Sequence, residues 1–311
     1  MMRQAAPLDL AAYAMGPTAP PMPSPEAIAA VRREPRFKPA LVAIAADNLA
    51  YYQRRWLANR VLNDRARFGM ALASMYLHFS YRPDDPASGL TASSFRDVCV
   101  GAGLCGGGRV EGLLMLMRAT GFLERVERAE PGVRRFVPTP KLIALHRGRN
   151  HQLLSAVDLM RGNTRFAERI SRDGQNGNSG FYPNFVLAMG RMFLAGYRMV
   201  NAAPELKPII DRDAGIPMMI CALLASPDYA ALVPDEMRPV TVSELARRFS
   251  VSRMHIRSVQ RDAESAGFLI RHGDSEQVTV LPALIDAMEN FFASGFVMIE
   301  SYAAVAAAQD C

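Results

Sequence analysis

The chain has 311 residues, half of them hydrophobic and 21% charged, and its formal net charge is +6 at pH 7. This length allows two domains of ordinary size, each with its own core, and the composition is that of a folded, soluble protein. The positive charge favours an acidic partner, although many basic proteins bind no nucleic acid.

Segments that would carry the chain to or across a membrane are not predicted. Residues 1–21 lack an uninterrupted apolar core after a basic start, which a secretory signal requires. Residues 185–200 and 284–308 are the most apolar, but Arg191, Asp286 and similar charges interrupt them. Four scattered cysteines are too few for a disulfide framework, so we expect a cytoplasmic protein.

The chain begins with an arm and then repeats itself. Residues 1–35 are rich in Pro, Ala and Met and predict a flexible arm with room for one short helix. A polar, Gly/Asn-rich linker at 171–180 separates a first half, 36–170, from a second half, 181–311. Six segments match in the same order, for example "LTASSFRDV" with "VTVSELARRF" and "RATGFLER" with "ESAGFLIR". Ordered matches favour an internal duplication.

Each half predicts an opening helix, an inner helix, two short helices, a hairpin and a long closing helix. In the second half, Ser243 is the predicted N-cap of the first short helix, which buries Leu245, Ala246 and Phe249. The tight turn "SVS" follows this helix and leads into the next one.

The helix after that turn has a clear start, buried stripe and end. Ser252 is its predicted N-cap, and Ile256, Val259 and Ala263 form the stripe. Gly267 supplies the backbone conformation that ends the helix. We call this the second reader helix and its counterpart in "GGGRVEGLLMLMRAT" the first reader helix.

A hairpin and the closing helix complete the second half. Phe268 and Ile270 predict one strand and "QVTVL" the other, with a turn-rich loop between them. Pro282 starts the closing helix, where its missing N–H costs nothing. Helix, turn, helix and hairpin in this order form a winged helix-turn-helix, whose second helix enters the DNA major groove.

The expected fold is therefore mostly α with small β-hairpin wings. Two winged helix-turn-helix units with flanking helices would form an internal pseudodimer. The chain would then be a monomeric pseudodimer or a homodimer that binds double-stranded DNA.

Polar and basic side chains lie off the buried stripe of the second reader helix. The candidates for base contacts near its start are Arg253, Met254, His255, Arg257 and Ser258. Arginine can donate two hydrogen bonds to guanine, which makes it the commonest specific reader of a base. The remaining candidates of this half suit the DNA backbone or the minor groove: Ser252, Arg261, Arg271 and His272.

The first reader helix has weaker DNA-binding features. The preceding turn, "CVGAGLCGGG", is long and full of glycines, which disfavour helix. Its outer face offers Arg109 but also Glu111, which repels phosphate unless it reads a cytosine. Its wing compensates with four arginines: Arg125, Arg128, Arg134 and Arg135. We expect this half to bind the DNA backbone through its wing.

Residues 241–270 resemble the MarR family of bacterial winged-helix regulators. The matching positions are Leu245, Ala246, Val251, Ser252, Arg253, Ile256, Val259, Glu264, Gly267 and the apolar pair that follows. The resemblance implies a sequence-specific transcriptional regulator whose flanking helices build a dimer interface. Family members carry one reader per chain, whereas this chain has two. Two readers would reach half-sites about 34–36 Å apart, and the second would supply most base contacts.

Two other functions compete with this interpretation. Plasmid-type replication initiators also place two winged helices in one chain, and a protein-interaction scaffold would retain the fold without binding DNA. No enzyme is expected, because the five histidines are scattered and no nucleophile has a partner motif. The sequence accordingly predicts no metal and no cofactor.

Regulation of the expected activity stays open at this stage. Cys99 and Cys105 flank the first turn, so their oxidation would distort the first reader, although buried cysteines are usually inert. A Met-lined gap between the dimer helices would suit a small-molecule effector. The cytoplasmic location would be at the nucleoid.

Overall fold

The computed structural model describes residues 20–54, 65–85, 88–126, 133–172, 180–233, 241–273 and 277–310. Within these ranges the protein is mostly helical, with two small antiparallel hairpins. The predicted class, mostly α with small β-hairpins, is confirmed at this level.

The first half contains a helix–helix–hairpin unit between two long helices. Its elements are α1 (Pro25–Arg32), α2 (Phe37–Arg54), α3 (Arg65–Phe79), α4 (Ala92–Gly101), α5 (Gly107–Ala119), β1 (Leu123–Arg125), β2 (Phe136–Pro138), α6 (Pro140–Arg161) and α7 (Ala167–Arg172). We call residues 92–138 the first unit; its reader helix is α5.

The second half repeats this order with extra short turns before its inner helix. Its elements are α8 (Phe181–Leu194), the 3-10 turns Met199–Ala202 and Pro204–Leu206, α9 (Lys207–Ile210), α10 (Gly215–Ala225), α11 (Pro227–Ala230), α12 (Val242–Phe249), α13 (Arg253–Ser265), β3 (Leu269–Arg271), β4 (Val278–Val280) and α14 (Pro282–Gln309). We call residues 242–280 the second unit; its reader helix is α13.

The start of α12 differs from the prediction by two residues. Thr241 is the N-cap, with an extended backbone and a hydroxyl that accepts a hydrogen bond from the Glu244 backbone N–H at 3.1 Å. Ser243 lies inside the helix, so its assignment as N-cap is wrong. Val242, whose side chain is buried, is the first helical residue. The N-cap is therefore the residue immediately before it.

The predicted features of α13 are confirmed. The Ser252 hydroxyl accepts a hydrogen bond from the His255 backbone N–H at 3.0 Å, and Ile256, Val259 and Ala263 are fully buried. Gly267 has a φ of +73°, in the left-handed region that glycine adopts without a steric penalty.

The strands of the second hairpin pair in a register that continues this geometry. Leu269 lies opposite Val280 and Arg271 opposite Val278. Pro282 occupies the first turn of α14, as predicted. The chain therefore leaves α13, turns back through the hairpin and enters the closing helix within a few residues.

The two halves pack on each other in a reciprocal pattern. Each opening helix packs on the closing helix of its own half, α2 on α6 and α8 on α14. Each also packs on the inner helix of the other half, α2 on α10 and α8 on α3, and the closing helices touch. A single hydrophobic core runs through both halves. Phe37 and Phe296, for example, meet edge to face across them at 6.0 Å.

The segment 1–35, predicted as a flexible arm with room for one short helix, contains such a helix near its end. Residues 25–32 form α1, whose start is capped by Ser24, and α1 packs on α14. Ile28 and Val31 are buried there, because a short apolar stripe is enough to dock a helix whose cap is satisfied. Residues 1–19 lie outside the described ranges.

A polar cluster reinforces this docking. Arg32 Nη2 lies 2.6 Å from the Glu289 carboxylate and 2.8 Å from Asp286. The Tyr229 hydroxyl also donates a hydrogen bond to Glu289, at 2.8 Å. The predicted linker at 171–180 falls mostly on 173–179, which the structure does not describe, while its first two residues belong to α7.

The closing helix α14 is the one helix in the described ranges that is long and apolar enough to cross a membrane. An 18-residue window within it has a mean hydropathy of 1.5, so its charged residues do not exclude a span on composition. Because 61% of that window is buried inside the protein, however, α14 has the packing of a core helix, which is compatible with a soluble protein.

Candidate nucleic-acid interface

The outward face of α13 is an arginine stripe. At about 100° per residue, Met254, Arg257 and Arg261 follow one another on the side opposite the buried residues of this helix. All three are exposed, and Met254 has 64% of its surface accessible. Arg253 is exposed at the edge of the same face. We call Arg253, Arg257 and Arg261 the α13 arginines.

The α13 arginines point away from the other residues that the structure describes. No hydrogen bond, ion pair or ring contact engages any of the three within the part of the chain that the structure describes. The first turn of α13 also contains no acidic residue. The backbone N–H groups at a helix start add positive potential, so this end of α13 attracts anions.

One flank of α13 is covered by the loop that precedes α10. The His255 Nε2 atom lies 2.7 Å from the Asp213 backbone oxygen, which only accepts, so Nε2 carries the proton. The Arg212 guanidinium donates a hydrogen bond to the Ser258 hydroxyl at 3.0 Å and forms an ion pair with Asp262 at 2.9 Å. His255 and Ser258, predicted as base contacts, are thus already bound within the chain.

The second wing uses its predicted DNA contacts internally. The backbone N–H and guanidinium of Arg271 both bind the Glu264 carboxylate, at 2.8 and 2.7 Å. These bonds hold the pKa of Glu264 below its ordinary value. His272 Nε2 lies 2.7 Å from the Thr279 hydroxyl across the hairpin. Arg271 therefore ties the wing to α13, while His272 stays exposed.

The first reader helix lacks the arginine stripe. The matched segments "RATGFLER" and "ESAGFLIR" place Gly107, Glu111 and Met115 where the second unit has the α13 arginines. Its N-cap, Gly106, has no side chain to accept a capping hydrogen bond. Arg109 is exposed on the flank of the helix. The outer face of α5 therefore offers phosphate little positive charge.

Two of the predicted wing contacts in the first unit are engaged. Arg134 forms an ion pair of 3.5 Å with Glu111, which neutralises the acid on the outer face. Arg135 donates a hydrogen bond to the Ser88 backbone oxygen at 3.2 Å and lies 4.3 Å from the centre of the Tyr81 ring. Arg135 therefore holds the wing against the body of the protein.

The remaining basic residues of this wing differ from one another. Arg125 is exposed and has no partner among the described residues. Arg128 lies outside the described ranges. The expected backbone contact through four wing arginines thus reduces to Arg125 among those whose placement is known.

The cysteines near the first turn are poorly placed for redox sensing. Cys99 is fully buried, and burial raises the pKa of its thiol, which disfavours the reactive thiolate. Cys105 is half-buried with its sulfur 3.5 Å from that of Met70. These surroundings support the interpretation of Cys99 as an inert core residue.

Sequence reasoning missed the residues that shape this surface. Arg212 and Asp213 belong to no motif in the sequence, yet they bind Asp262 and His255 about 45 positions later. Contacts at that separation leave no local pattern. No group of three or more His, Cys, Asp or Glu side chains suited to a metal occurs in the described ranges.

No known family matches this chain. Comparison with the curated proteins and with the solved structures also found no match. The geometry and charge of α13 therefore carry the functional argument.

Proposed function

We propose that this protein binds double-stranded DNA sequence-specifically and regulates transcription, with α13 lying in the major groove. The observation that carries the proposal is the set of α13 arginines: exposed, unpaired within the described ranges and grouped on one face near a helix start. Arginines held this way without an internal partner are suited to an anionic ligand.

The dimensions of α13 agree with a reading role. Its 13 residues span about 20 Å, and the major groove, about 12 Å wide, admits one helix. Arg257 and Arg261 lie about 6 Å apart along the helix axis, which lets them address different base pairs. Met254, about one turn before Arg257 on the same face, is an apolar side chain of the kind that contacts a thymine methyl group.

The packing of the two halves supports an internal pseudodimer of unequal winged helices. Reciprocal contacts, in which α2 meets α10 and α8 meets α3, are those of a twofold interface. Because the α13 arginines have no counterparts in α5, the second unit would supply most base contacts. The preferred site would therefore be asymmetric. The resemblance of residues 241–270 to MarR-type readers favours regulation over replication initiation.

Selection from a random duplex library tests the proposal. The protein should enrich one sequence motif, and either Arg253→Ala or Arg257→Ala should weaken binding to that motif by roughly 1–3 kcal/mol while relaxing the preference for it. Arg33→Ala removes an equal charge from an exposed position at the C-terminal end of α1 and should leave binding unchanged.

Two results would count against this function. An absence of enrichment would remove sequence-specific binding, and equal losses on the motif and on unselected duplexes would reduce the α13 arginines to phosphate contacts. Tandem repeated sites in bound genomic DNA, instead of single sites upstream of genes, would favour an initiator.

A further inference from the structure

The outer face of α5 includes an uncharged stripe in which Met115 occupies the position of Arg261 in α13. Gly108, Gly112, Met115 and Ala119 follow one another on the side opposite the buried residues of α5, and none is charged. Met115 exposes 64% of its surface and the neighbouring Leu116 36%. Large apolar side chains grouped in the open usually mark a contact surface.

A shallow cavity of about 470 Å³ lies where α5 meets β1. Its lining consists of Met115, Arg118, Ala119, Leu123, Glu124 and Arg125. We call this surface, together with Leu116, the α5/β1 face. Its centre is apolar and its margin is charged, which is the usual layout of a protein-binding site.

The positive charge at this margin results from a difference in sequence between the two units. In the second unit, Glu264 and Arg271 form an ion pair between the reader helix and the first wing strand. Arg118 and Arg125 occupy the matching positions of the first unit and cannot pair with each other. Both are exposed, and neither has a partner in the described part of the chain.

A third cation lies close to the same helix end. Lys141 Nζ donates a hydrogen bond to the Thr120 backbone oxygen at 2.8 Å and lies 4.7 Å from the centre of the Phe122 ring. Glu124 is the one acid among the lining residues of the cavity. The margin is therefore cationic on balance.

We propose that the α5/β1 face binds an amphipathic helix of a protein partner whose apolar stripe is flanked by carboxylates. The partner's apolar side chains would cover Met115 and Leu116. Its carboxylates would pair with Arg118 and Arg125. These pairs would neutralise two positive charges that nothing else in the described ranges neutralises. The proposal is independent of DNA binding by α13.

The same observations argue against two other occupants. DNA would place phosphates against Met115 and Glu111, of which neither donates a hydrogen bond to them. A second copy in a twofold contact would bring the same patch together on both sides, so that Arg118 and Arg125 would meet their own like charges. An acidic partner satisfies both the apolar centre and the cationic margin.

Selection with displayed helical peptides tests the inference on the full chain. The library fixes leucine on one stripe of peptides about 14 residues long, about four turns, and varies the flanking positions among Glu, Lys, Ser and Ala. We expect enriched peptides to carry Glu beside the leucines. Met115→Glu and the double change Arg118→Glu, Arg125→Glu should each weaken such a peptide about tenfold or more.

The control and the contrary results are equally specific. Arg253→Ala with Arg257→Ala alters the second unit alone and should leave peptide affinity unchanged. Because Met115, Arg118 and Arg125 are exposed, far-ultraviolet circular dichroism should show folded variants. No preference for Glu, undiminished binding by the variants, competition by duplex DNA, or self-association that Met115→Glu abolishes would each overturn the proposal.

Discussion

The α13 arginines are available because other residues neutralise the acids of the same helix. Asp262 pairs with Arg212 and Glu264 pairs with Arg271, so neither carboxylate is left to bind Arg257 or Arg261. Without the Glu264–Arg271 pair, an i,i+3 contact with Glu264 would compete with a ligand for the Arg261 guanidinium. The surface charge therefore depends on partners outside the helix.

A buried histidine links the two halves at the level of single residues. His146 of α6 has its Nδ1 atom 2.8 Å from the Tyr182 hydroxyl of α8 and 2.9 Å from the Asn150 side-chain nitrogen. The amide nitrogen only donates, so Nδ1 is the unprotonated nitrogen. Burial, with a smaller effect of the Arg149 charge, lowers the pKa of His146 to about 3.

This histidine predicts a pH dependence of stability. The pKa is lower in the folded chain than its ordinary value of 6.5, so the unfolded chain takes up the proton first as the pH falls. As the pH falls from about 6 to about 4, His146 should therefore lower the free energy of unfolding by about 1.4 kcal/mol per pH unit. His146→Gln keeps an acceptor that does not titrate, so urea unfolding should show a shallower slope. Parallel curves for the two proteins would refute this origin.

Residues could be predicted from the sequence where their partners are close in the chain. Ser252 was predictable as a cap because its donor, the His255 backbone N–H, lies three residues later. His255 and Ser258 were predicted as DNA contacts because they lie off the buried stripe, but residues 212 and 213 cover them. Arg135 likewise packs against Tyr81, and no sequence pattern in the wing indicates this contact.

At the level of elements, the two reader helices occupy the same place in their units but differ in how their first turns are capped. Both follow a short helix and lead into a hairpin, and both bury an apolar stripe. α13 has a side-chain cap, whereas α5 begins with glycines and no cap. The hydrophobic period predicted these elements well, since core packing sets it. Composition allowed a short helix in the N-terminal segment but could not show that α1 docks, because its few apolar residues suffice only with α14 beside them.

Glycine substitutions test this difference between the helices. Gly112 lies inside α5, and a Cβ added there would meet no atom within 4 Å, so Gly112→Ala should raise the free energy of unfolding by about 0.5–1 kcal/mol. Gly267→Ala is the matched control: its φ of +73° strains any Cβ, and the change should cost about 1–2 kcal/mol. Urea unfolding measures both. A loss at Gly112 or a gain at Gly267 would contradict these backbone assignments.

At the level of the whole molecule, the halves form one body that α1 helps to close. α1 belongs to the N-terminal segment but packs on the closing helix of the second half. Arg161 of α6 adds a bridge from the first half to Glu300 of α14, at 2.7 Å. The reciprocal packing could be anticipated from the repeated segments, whereas the docking of α1 has no counterpart in the repeat.

The cluster around Glu289 predicts how strongly α1 is held. Glu289 is only 8% exposed, so Arg32→Ala would leave its carboxylate without a cation and should lower the free energy of unfolding by about 2–3 kcal/mol. Arg33→Ala, one residue away and exposed, should cost less than about 0.5 kcal/mol. Thermal unfolding of the two variants would show whether the effect belongs to the cluster. Equal shifts would contradict it.

The most direct test of the account compares two double variants on the selected duplex across salt concentrations. Arg257→Ala with Arg261→Ala and Arg33→Ala with Arg36→Ala remove the same charge from different exposed surfaces. We predict that the first double variant loses at least about 2 kcal/mol of binding free energy. Its negative slope of log affinity against log salt should be shallower by about 1. The second pair should stay close to the unaltered protein. Equal losses in both pairs, or none in the first, would contradict the assignment of α13 as the DNA-binding surface.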